Sequence, residues 1–206
     1  VSVAEEIGLI GDLGRWVLRQ ACLQLRDWQR SYPAQALRLS VNVSGIELMD
    51  ALFTQRLQHT LETTGIAPGS LELEITESVL LTHSETLIVT LERIRAMGVR
   101  IALDDFGTGY SSLSYLKNYP LDTIKIDRSF ISAIPEEERT MAIVETIVRL
   151  GHALKLEVVA EGVETAAQLD AATRLGCDYI QGYLMARPLP APETQRLLDP
   201  VGPAAP

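Results

Sequence analysis

The chain has 206 residues, of which 47% are hydrophobic and 22% are charged, and its formal net charge is −9 at pH 7. This composition is typical of one folded domain with a sizeable core and excludes an intrinsically disordered chain. The acidic balance argues against a protein that holds DNA or RNA by surface charge. No apolar stretch approaches the roughly 20 residues of a membrane span.

Hydrophobic patterns of two kinds alternate along the chain. Runs with a period of two residues predict strands at residues 37–44, 71–76, 100–105, 123–127, 156–161 and 179–184. Stretches with a period of 3.6 residues predict helices at residues 5–30, 47–64, 84–97, 137–154 and 165–175. Such alternation predicts parallel strands that are joined by crossover helices.

The number of predicted strands indicates the architecture. A closed barrel of eight strands usually needs about 250 residues. Six strands in 206 residues therefore predict an α/β fold of the TIM-like (β/α)8 barrel type that lacks its N-terminal strands. An open doubly wound sheet is the alternative. We expect one domain at residues 1–194 and a C-terminal tail at residues 195–206.

The two cysteines, Cys22 and Cys177, lie far apart in the sequence, and neither has a partner at the spacing of a metal site. Two such residues do not form a disulfide framework. We therefore predict two free, buried thiols and a cytoplasmic location, where thiols stay reduced.

Most of the predicted strands place a polar residue near the C-terminal end, opposite the apolar side chains. In the strand at 71–76, for example, Leu73 and Ile75 share one face and Glu74 lies on the other. In parallel α/β folds the C-terminal ends of the strands carry the active site. We expect an amide, several carboxylates and a lysine to converge there: Asn42, Glu74, Asp104, Asp105, Lys125 and Glu161.

These residue types indicate a metal site. Crowded carboxylates raise one another's pKa unless a cation neutralises them. A set of oxygen ligands without His or Cys suits Mg²⁺ or Mn²⁺ rather than zinc. Adjacent Asp104 and Asp105 would let one side chain bridge two ions, the arrangement that cleaves phosphodiesters. The residues alone also allow plainer readings: a helix cap for a single carboxylate, a structural counter-ion for Lys125, and a tight turn for the Gly-x-Gly at 107–109.

Several blocks around these residues resemble the EAL domain family, bacterial phosphodiesterases of the second messenger cyclic di-GMP. The blocks occur in the order found in the family: AEEIGLI at 4–10, LGRWVL at 13–18, NVS at 42–44, EITE at 74–77, DDFGTGYSS at 104–112, IKID at 124–127, AEGVE at 160–164, QGY at 181–183 and PLP at 188–190. The resemblance implies a modified (β/α)8 barrel that linearises cyclic di-GMP to pGpG with Mg²⁺ or Mn²⁺.

The resemblance also implies a site with two ions. One ion would be bound by Asn42, Glu74 and Asp104. The second would be bound by Asp104 and Asp105, with Glu161 in contact directly or through a water molecule.

Further roles follow from the same resemblance. Lys125 and Glu161 would hold and activate the attacking water, and Gln181 would lie near it. Candidates for substrate binding or for support of a loop are Glu77, Gly107, Thr108, Gly109, Asp127 and Glu164. Glu77 would steady the loop after Asp105, which is tied to dimerisation in the family. A homodimer is therefore expected, and a diguanylate cyclase-like (GGDEF) or sensory domain upstream is common among its members.

One element of the family pattern is absent. The Glu-Ala-Leu motif, whose Glu is a metal ligand, would lie about twenty residues before Val1, so the resemblance predicts a fragment of a longer, catalytically competent chain. Two alternatives stay open. The first is a receptor that binds cyclic di-GMP without hydrolysing it, and the second is an unrelated Mg²⁺ barrel enzyme that acts on a small carboxylate substrate.

Overall fold

The computed structural model describes residues 2–81, 84–108 and 116–199. Six strands in these ranges form one sheet, in which every neighbouring pair is parallel. They are β1 (Leu39–Asn42), β2 (Leu71–Thr76), β3 (Arg100–Phe106), β4 (Thr123–Ile126), β5 (Glu157–Ala160) and β6 (Tyr179–Ile180). The strands lie side by side in chain order. A doubly wound sheet reverses its order part-way, so that alternative is wrong and the barrel architecture is confirmed.

Ten α-helices lie in the described ranges, and the two longest of them pack on the sheet. They are α1 (Ser2–Glu6), α2 (Ile10–Ser31), α3 (Gly45–Leu48), α4 (Phe53–Thr64), α5 (Glu77–Leu80), α6 (Glu85–Ala96), α7 (Arg128–Ala133), α8 (Glu138–Ala153), α9 (Ala166–Leu175) and α10 (Ala191–Leu198). None of them combines the length and the apolar composition that a membrane crossing requires.

Some boundaries differ from the sequence-based expectation. The helix expected at 5–30 is divided into α1 and α2, because the chain leaves the helical conformation at residues 7–9. The sequence did not predict α5 and α7, which have four and six residues and are too short to show a helical period. The expected boundary between domain and tail falls inside α10, and residues 200–206 lie outside the described ranges.

The last strand is shorter than its sequence pattern suggests. It ends at Ile180, although the apolar alternation that predicts the strand continues to residue 184. At Gly182 the chain approaches the backbone of Val163 so closely that a Cβ atom would lie 2.1 Å from the Val163 carbonyl oxygen. The Val163 amide donates to the Gln181 carbonyl at 3.0 Å. Gly182 thus lets the segment that carries Gln181 lie directly against the loop that follows β5.

The sheet is strongly curved. Neighbouring strands lie roughly 4.8 Å apart, so a flat sheet would separate β1 from β5 by roughly 19 Å. Arg38, just before β1, nevertheless donates to Glu157 on β5 at 2.8 Å, and its guanidinium lies 4.7 Å from the ring centroid of Tyr179 on β6. The two outer parts of the sheet therefore face each other across a barrel interior.

The apolar core lies between the outer face of the sheet and the helices and forms a single cluster. Leu73 and Ile75 on β2 are almost fully buried there, together with Leu91 on α6. A single cluster is consistent with one domain. Of the two cysteines, which are both free, Cys22 is fully buried and Cys177 is half-buried. Burial raises the pKa of each thiol to about 11.

The N-terminus of α9 generates a prediction about stability. Thr165 Oγ1 accepts from the Gln168 amide at 3.2 Å, and Gln168 Oε1 accepts from the Thr165 amide at 3.0 Å, which is a capping box. Thr165→Ala removes the cap, so we expect the free energy of unfolding in urea to fall by about 1 kcal/mol. Thr173→Ala, in the same helix but away from the cap, is the control. If both variants lost the same free energy of unfolding, Thr165 would not act as the cap of α9.

Candidate active site

A buried lysine lies at the centre of the polar residues at the strand ends. The Lys125 side chain is 5% exposed, and its Nζ lies 2.8 Å from Glu74 Oε1, 2.9 Å from Asp104 Oδ1 and 2.6 Å from Glu161 Oε1. Each carboxylate comes from a different strand or strand end, namely β2, β3 and the residue after β5. With the neighbouring Asp105, these residues are called the acidic cluster below.

The position of each member follows from the strand period. Side chains two residues apart point to the same face of a strand, so one residue near each strand end points into the barrel. Glu161 continues the ladder of β5, because its amide donates to the Ile126 carbonyl at 3.2 Å. This bond keeps Glu161 beside Lys125, which precedes Ile126 on β4.

Burial and charge shift the pKa values within the cluster. Burial raises the pKa of Glu161 and of Glu74; Lys125 opposes this shift, and Asp104 adds to it by repulsion. Burial alone would lower the pKa of Lys125, but its hydrogen bonds to Glu161 and Glu74 raise it above its usual value. Lys125 is therefore a cation at neutral pH, and one ammonium group faces three carboxylates. The site has a surplus of negative charge that favours the binding of cations.

A bulge in β3 brings two adjacent carboxylates to the same site. The pairing between β3 and β4 shifts register between Leu103 and Phe106, and Asp105 has a positive φ of 55°. Adjacent residues in a regular strand point to opposite faces, whereas a bulge re-aims one of them. Asp104, Asp105 and Glu161 each offer an oxygen within 4.8 Å of the others. Partial burial and the charges of Asp104 and Asp127 raise the pKa of Asp105.

The residues present fit a divalent cation. Asp104 Oδ1 is buried, and Lys125 Nζ lies 2.9 Å from it. This ammonium group is shared with Glu74 and Glu161, so its single positive charge compensates the buried carboxylates only in part, and a bound cation would compensate the rest. The other ligand atoms in the cluster are carboxylate oxygens, the type that Mg²⁺ and Mn²⁺ prefer.

Asn42 and Gln181 lie on either side of the acidic cluster. Asn42, at the end of β1, is exposed and pairs in register with Glu74, and both line a groove of about 770 Å³. Gln181 lines a second cavity, of about 170 Å³, together with Lys125 and Glu74. The structure therefore brings Asn42, Gln181 and the five residues of the cluster to one end of the barrel.

The loop after Asp105 is attached to Glu77. The Gly107 amide donates to Glu77 Oε2 at 3.1 Å, and Glu77 is 2% exposed at the start of α5. Gly107 has a φ of 102°, and a Cβ atom there would lie 2.6 Å from the Phe130 ring, so the position requires glycine. Thr108 is exposed, and its hydroxyl donates to the Asp105 carbonyl at 2.9 Å. Gly109 lies outside the described residues.

Two further candidates lie beside the cluster rather than in it. Asp127 caps α7, accepting from the Ser129 amide at 2.9 Å. Glu164 is exposed and pairs with Arg128 at 2.8 Å, a residue that the sequence reasoning did not single out. Arg128 also packs against Gly162, where a Cβ atom would lie 2.3 Å from its Cγ. The only sign of Arg128 in the sequence is that a basic residue directly follows the IKID block. A single charged residue after a strand is common at protein surfaces, so this sign does not indicate a function.

Removal of the buried lysine generates a second prediction. Lys125→Met leaves the carboxylates crowded without their cation, so we expect the free energy of unfolding to fall by about 3–5 kcal/mol. Mg²⁺ should recover part of this loss, because it supplies positive charge to the same oxygens. Urea unfolding in EDTA and in Mg²⁺ measures both effects, with exposed Lys117→Met as the control. A loss that Mg²⁺ leaves unchanged would contradict the fit to a cation.

Glu77 generates a third prediction. Glu77→Ala removes the acceptor of the Gly107 amide, so hydrogen exchange of that amide should become faster by about fivefold, as a net hydrogen bond of roughly 1 kcal/mol implies. Glu77→Gln keeps an acceptor oxygen and should change the exchange rate much less. Exchange of the Gly107 amide by NMR measures this. Equal rates in both variants and in the unmodified protein would show that Glu77 does not hold the loop.

Known proteins resemble this chain in sequence. The sequence profile of the EAL domain matches residues 1–188. The chain is 44% identical over 191 residues to MucR of Pseudomonas aeruginosa, a bifunctional diguanylate cyclase/cyclic di-GMP phosphodiesterase, with 93% of this chain and 28% of MucR covered. It is 44% identical over 198 residues to the cyclic di-GMP phosphodiesterase NbdA of the same organism, with 96% and 25% covered. The chain thus spans about a quarter of the length of these relatives.

The fold matches a solved structure as well. The MucR phosphodiesterase in complex with c-di-GMP superposes on this chain with a TM-score of 0.88 at 44% identity, covering 94% of this chain and 78% of that one. Profile, sequence and fold agree over the part of the chain that carries the acidic cluster. The chain belongs to the EAL domain family.

Proposed function

We propose that the chain is the phosphodiesterase domain of a cyclic di-GMP signalling protein and hydrolyses cyclic di-GMP to linear pGpG. The observation that carries this proposal is the acidic cluster, in which Lys125 contacts Glu74, Asp104 and Glu161 within 2.9 Å. Relatives named for this activity, and a relative whose structure contains c-di-GMP, support the choice of substrate.

Divalent cations are part of the proposal. Asn42, Glu74 and Asp104 would hold one Mg²⁺ or Mn²⁺ ion, and Asp104, Asp105 and Glu161 would hold a second. The closeness of oxygen atoms of Asp104, Asp105 and Glu161, all within 4.8 Å of one another, supports a ligand role. Such ions neutralise the charge of a phosphodiester and lower the pKa of a bound water.

The protein's own residues would orient and deprotonate the attacking water. Lys125 and Glu161 lie 2.6 Å apart, so a water between the cluster and the substrate would give a proton to the Glu161 carboxylate and accept a hydrogen bond from Lys125 in place of one of its three carboxylates. The water oxygen attacks phosphorus, and the bond from phosphorus to the 3′ oxygen breaks, because the product pGpG keeps its phosphate at the 5′ end. The departing 3′ oxygen takes up a proton from solvent. Gln181, which shares a cavity with Lys125, would hold the water in line.

A receptor that binds cyclic di-GMP without hydrolysing it is the second candidate. The retained lysine and carboxylates favour hydrolysis. The wider proposal includes a homodimer, an upstream GGDEF or sensory domain and a cytoplasmic location, where two free thiols stay reduced.

Product analysis tests the proposal. The protein, and a version extended at its N-terminus, are incubated with cyclic di-GMP and Mn²⁺, and pGpG is followed by chromatography. We expect pGpG to form and EDTA to stop the reaction. Asp104→Asn and Glu161→Gln should each lower kcat by about 100-fold or more, because each removes a group that acts directly on the reacting centre.

The controls separate the alternatives. Glu145→Gln changes an exposed carboxylate on α8 that pairs with Arg149, and its kcat should equal that of the unmodified protein. Saturable binding of cyclic di-GMP without pGpG, in both lengths of the protein, would favour the receptor. Turnover within a few-fold of wild type in Asp104→Asn would overturn the assignment of the site.

A further inference from the structure

A second polar layer lies inside the barrel, toward the N-terminal ends of the strands. Side chains from or next to every strand form it: Arg38, Glu72, Arg100, Thr123, Glu157 and Tyr179, called the lower layer here. Glu72 and Thr123 are buried, Arg100 and Glu157 are partly buried, and Arg38 and Tyr179 are exposed at the side of the layer. Strand period places these residues on the face that carries the acidic cluster, Asn42 and Gln181, two or four positions before those residues.

Arg100 connects the lower layer across the sheet. Its Nε lies 3.2 Å from Glu72 Oε1 on β2, and its Nη2 lies 2.6 Å from Glu157 Oε2 on β5 and 3.2 Å from Thr123 Oγ1 on β4. Thr123 in turn donates to Glu72 Oε1 at 2.6 Å. One guanidinium on β3 therefore bonds to side chains of three other strands.

This chemistry is unusual at such a position. Barrel interiors are ordinarily filled with branched apolar side chains, and ionic groups in the interior lose hydration energy that their pairing only partly returns. Departures from local rules are expected mainly where function requires them. An apolar layer of the same volume would stabilise the barrel at least as well, so stability alone does not account for the polar character of the lower layer.

The lower layer reaches the acidic cluster directly. Ala102 on β3, Val159 on β5 and Ser40 on β1 occupy the strand positions between the two layers. Ser40 donates to Glu72 Oε2 at 3.3 Å and lies close enough to Glu74 of the cluster to lower the pKa of that carboxyl group. The cavity of about 170 Å³ is lined by Glu72 from the lower layer and by Lys125 from the cluster. No packed apolar layer separates the two sets at this cavity.

We propose that Arg100 is a positioning residue for the acidic cluster. By holding Glu72 and Glu157 it fixes β2 and β5 relative to β3, and these three strands carry or lead into Glu74, Glu161 and the Asp104–Asp105 pair. The separation of the proposed metal ligands then depends on Arg100, whose own hydrogen bonds among the described residues go to Glu72, Thr123 and Glu157. This inference rests on the proposed function only where kcat is measured; the measurement of Mn²⁺ affinity does not require phosphodiesterase activity.

The experiment separates positioning from stability. Arg100→Met alone leaves Glu72 without a cation and Glu157 with Arg38 alone, and should destabilise the protein. The triple variant Glu72→Gln/Arg100→Met/Glu157→Gln removes the three charges that meet at Arg100. Arg38 then loses its carboxylate, but it is exposed to water and keeps its contact with the Tyr179 ring, so the urea midpoint should return close to that of the unmodified protein. Its Mn²⁺ dissociation constant, measured by EPR of free Mn²⁺, should nevertheless rise by about 10- to 100-fold, the effect typical of removing support behind metal ligands. kcat should fall similarly, with KM for cyclic di-GMP changed less than about threefold.

A conservative variant and a control complete the design. Arg100→Lys keeps the charge but cannot bond to two carboxylates as a planar fork, so its Mn²⁺ affinity should lie between those of the triple variant and the unmodified protein. The exposed pair variant Glu145→Gln/Arg149→Met should leave Mn²⁺ affinity unchanged.

The outcomes are distinct. Unchanged Mn²⁺ affinity in a folded triple variant, or in Arg100→Lys, would overturn the proposal. So would a loss of affinity that merely follows the unfolded fraction. If the triple variant does not fold, Arg100→Lys decides the question. If the unmodified protein binds Mn²⁺ but forms no pGpG, the proposed function fails while the Mn²⁺ affinities still test the role of Arg100.

Discussion

The contact of one buried ammonium group with three carboxylates is the interaction on which the arrangement of the site depends. Lys125 neutralises part of the charge that Glu74, Asp104 and Glu161 bring into the barrel, and without it their burial would be prohibitively costly. The remaining negative charge would attract the proposed cations. The same interaction therefore stabilises the fold and prepares the chemistry.

The curvature of the sheet makes this contact possible. Side chains from β2, β3 and β4 and from the residue after β5 meet only because the strands bend around a common interior, as the bond between Arg38 and Glu157 also requires. Contacts within the loops at the C-terminal ends of the strands then fix the positions of these loops beside the site. Glu77 holds the Gly107 amide, and Gly182 brings the Gln181 segment against Val163.

Much of the architecture could be predicted from the sequence because period-two alternation depends on the strands themselves. Four predicted strands differ from the observed ones by no more than a residue at either end, among them β2 at Leu71–Thr76. The pattern overestimated β6, because Gly182 turns the chain against another loop. It missed α7, whose six residues are too few to show a helical period.

The sequence by itself determined which polar residues lie at the strand ends, since a strand's alternation and its end are local properties. It also determined the family blocks around Glu74, Asp104 and Lys125. Only the tertiary structure decided that a bulge turns Asp105 toward Asp104 and Glu161, that Lys125 bonds to three carboxylates, and that Arg100 joins three strands. These are contacts between residues distant in sequence, and they depend on register and curvature, which no single segment encodes.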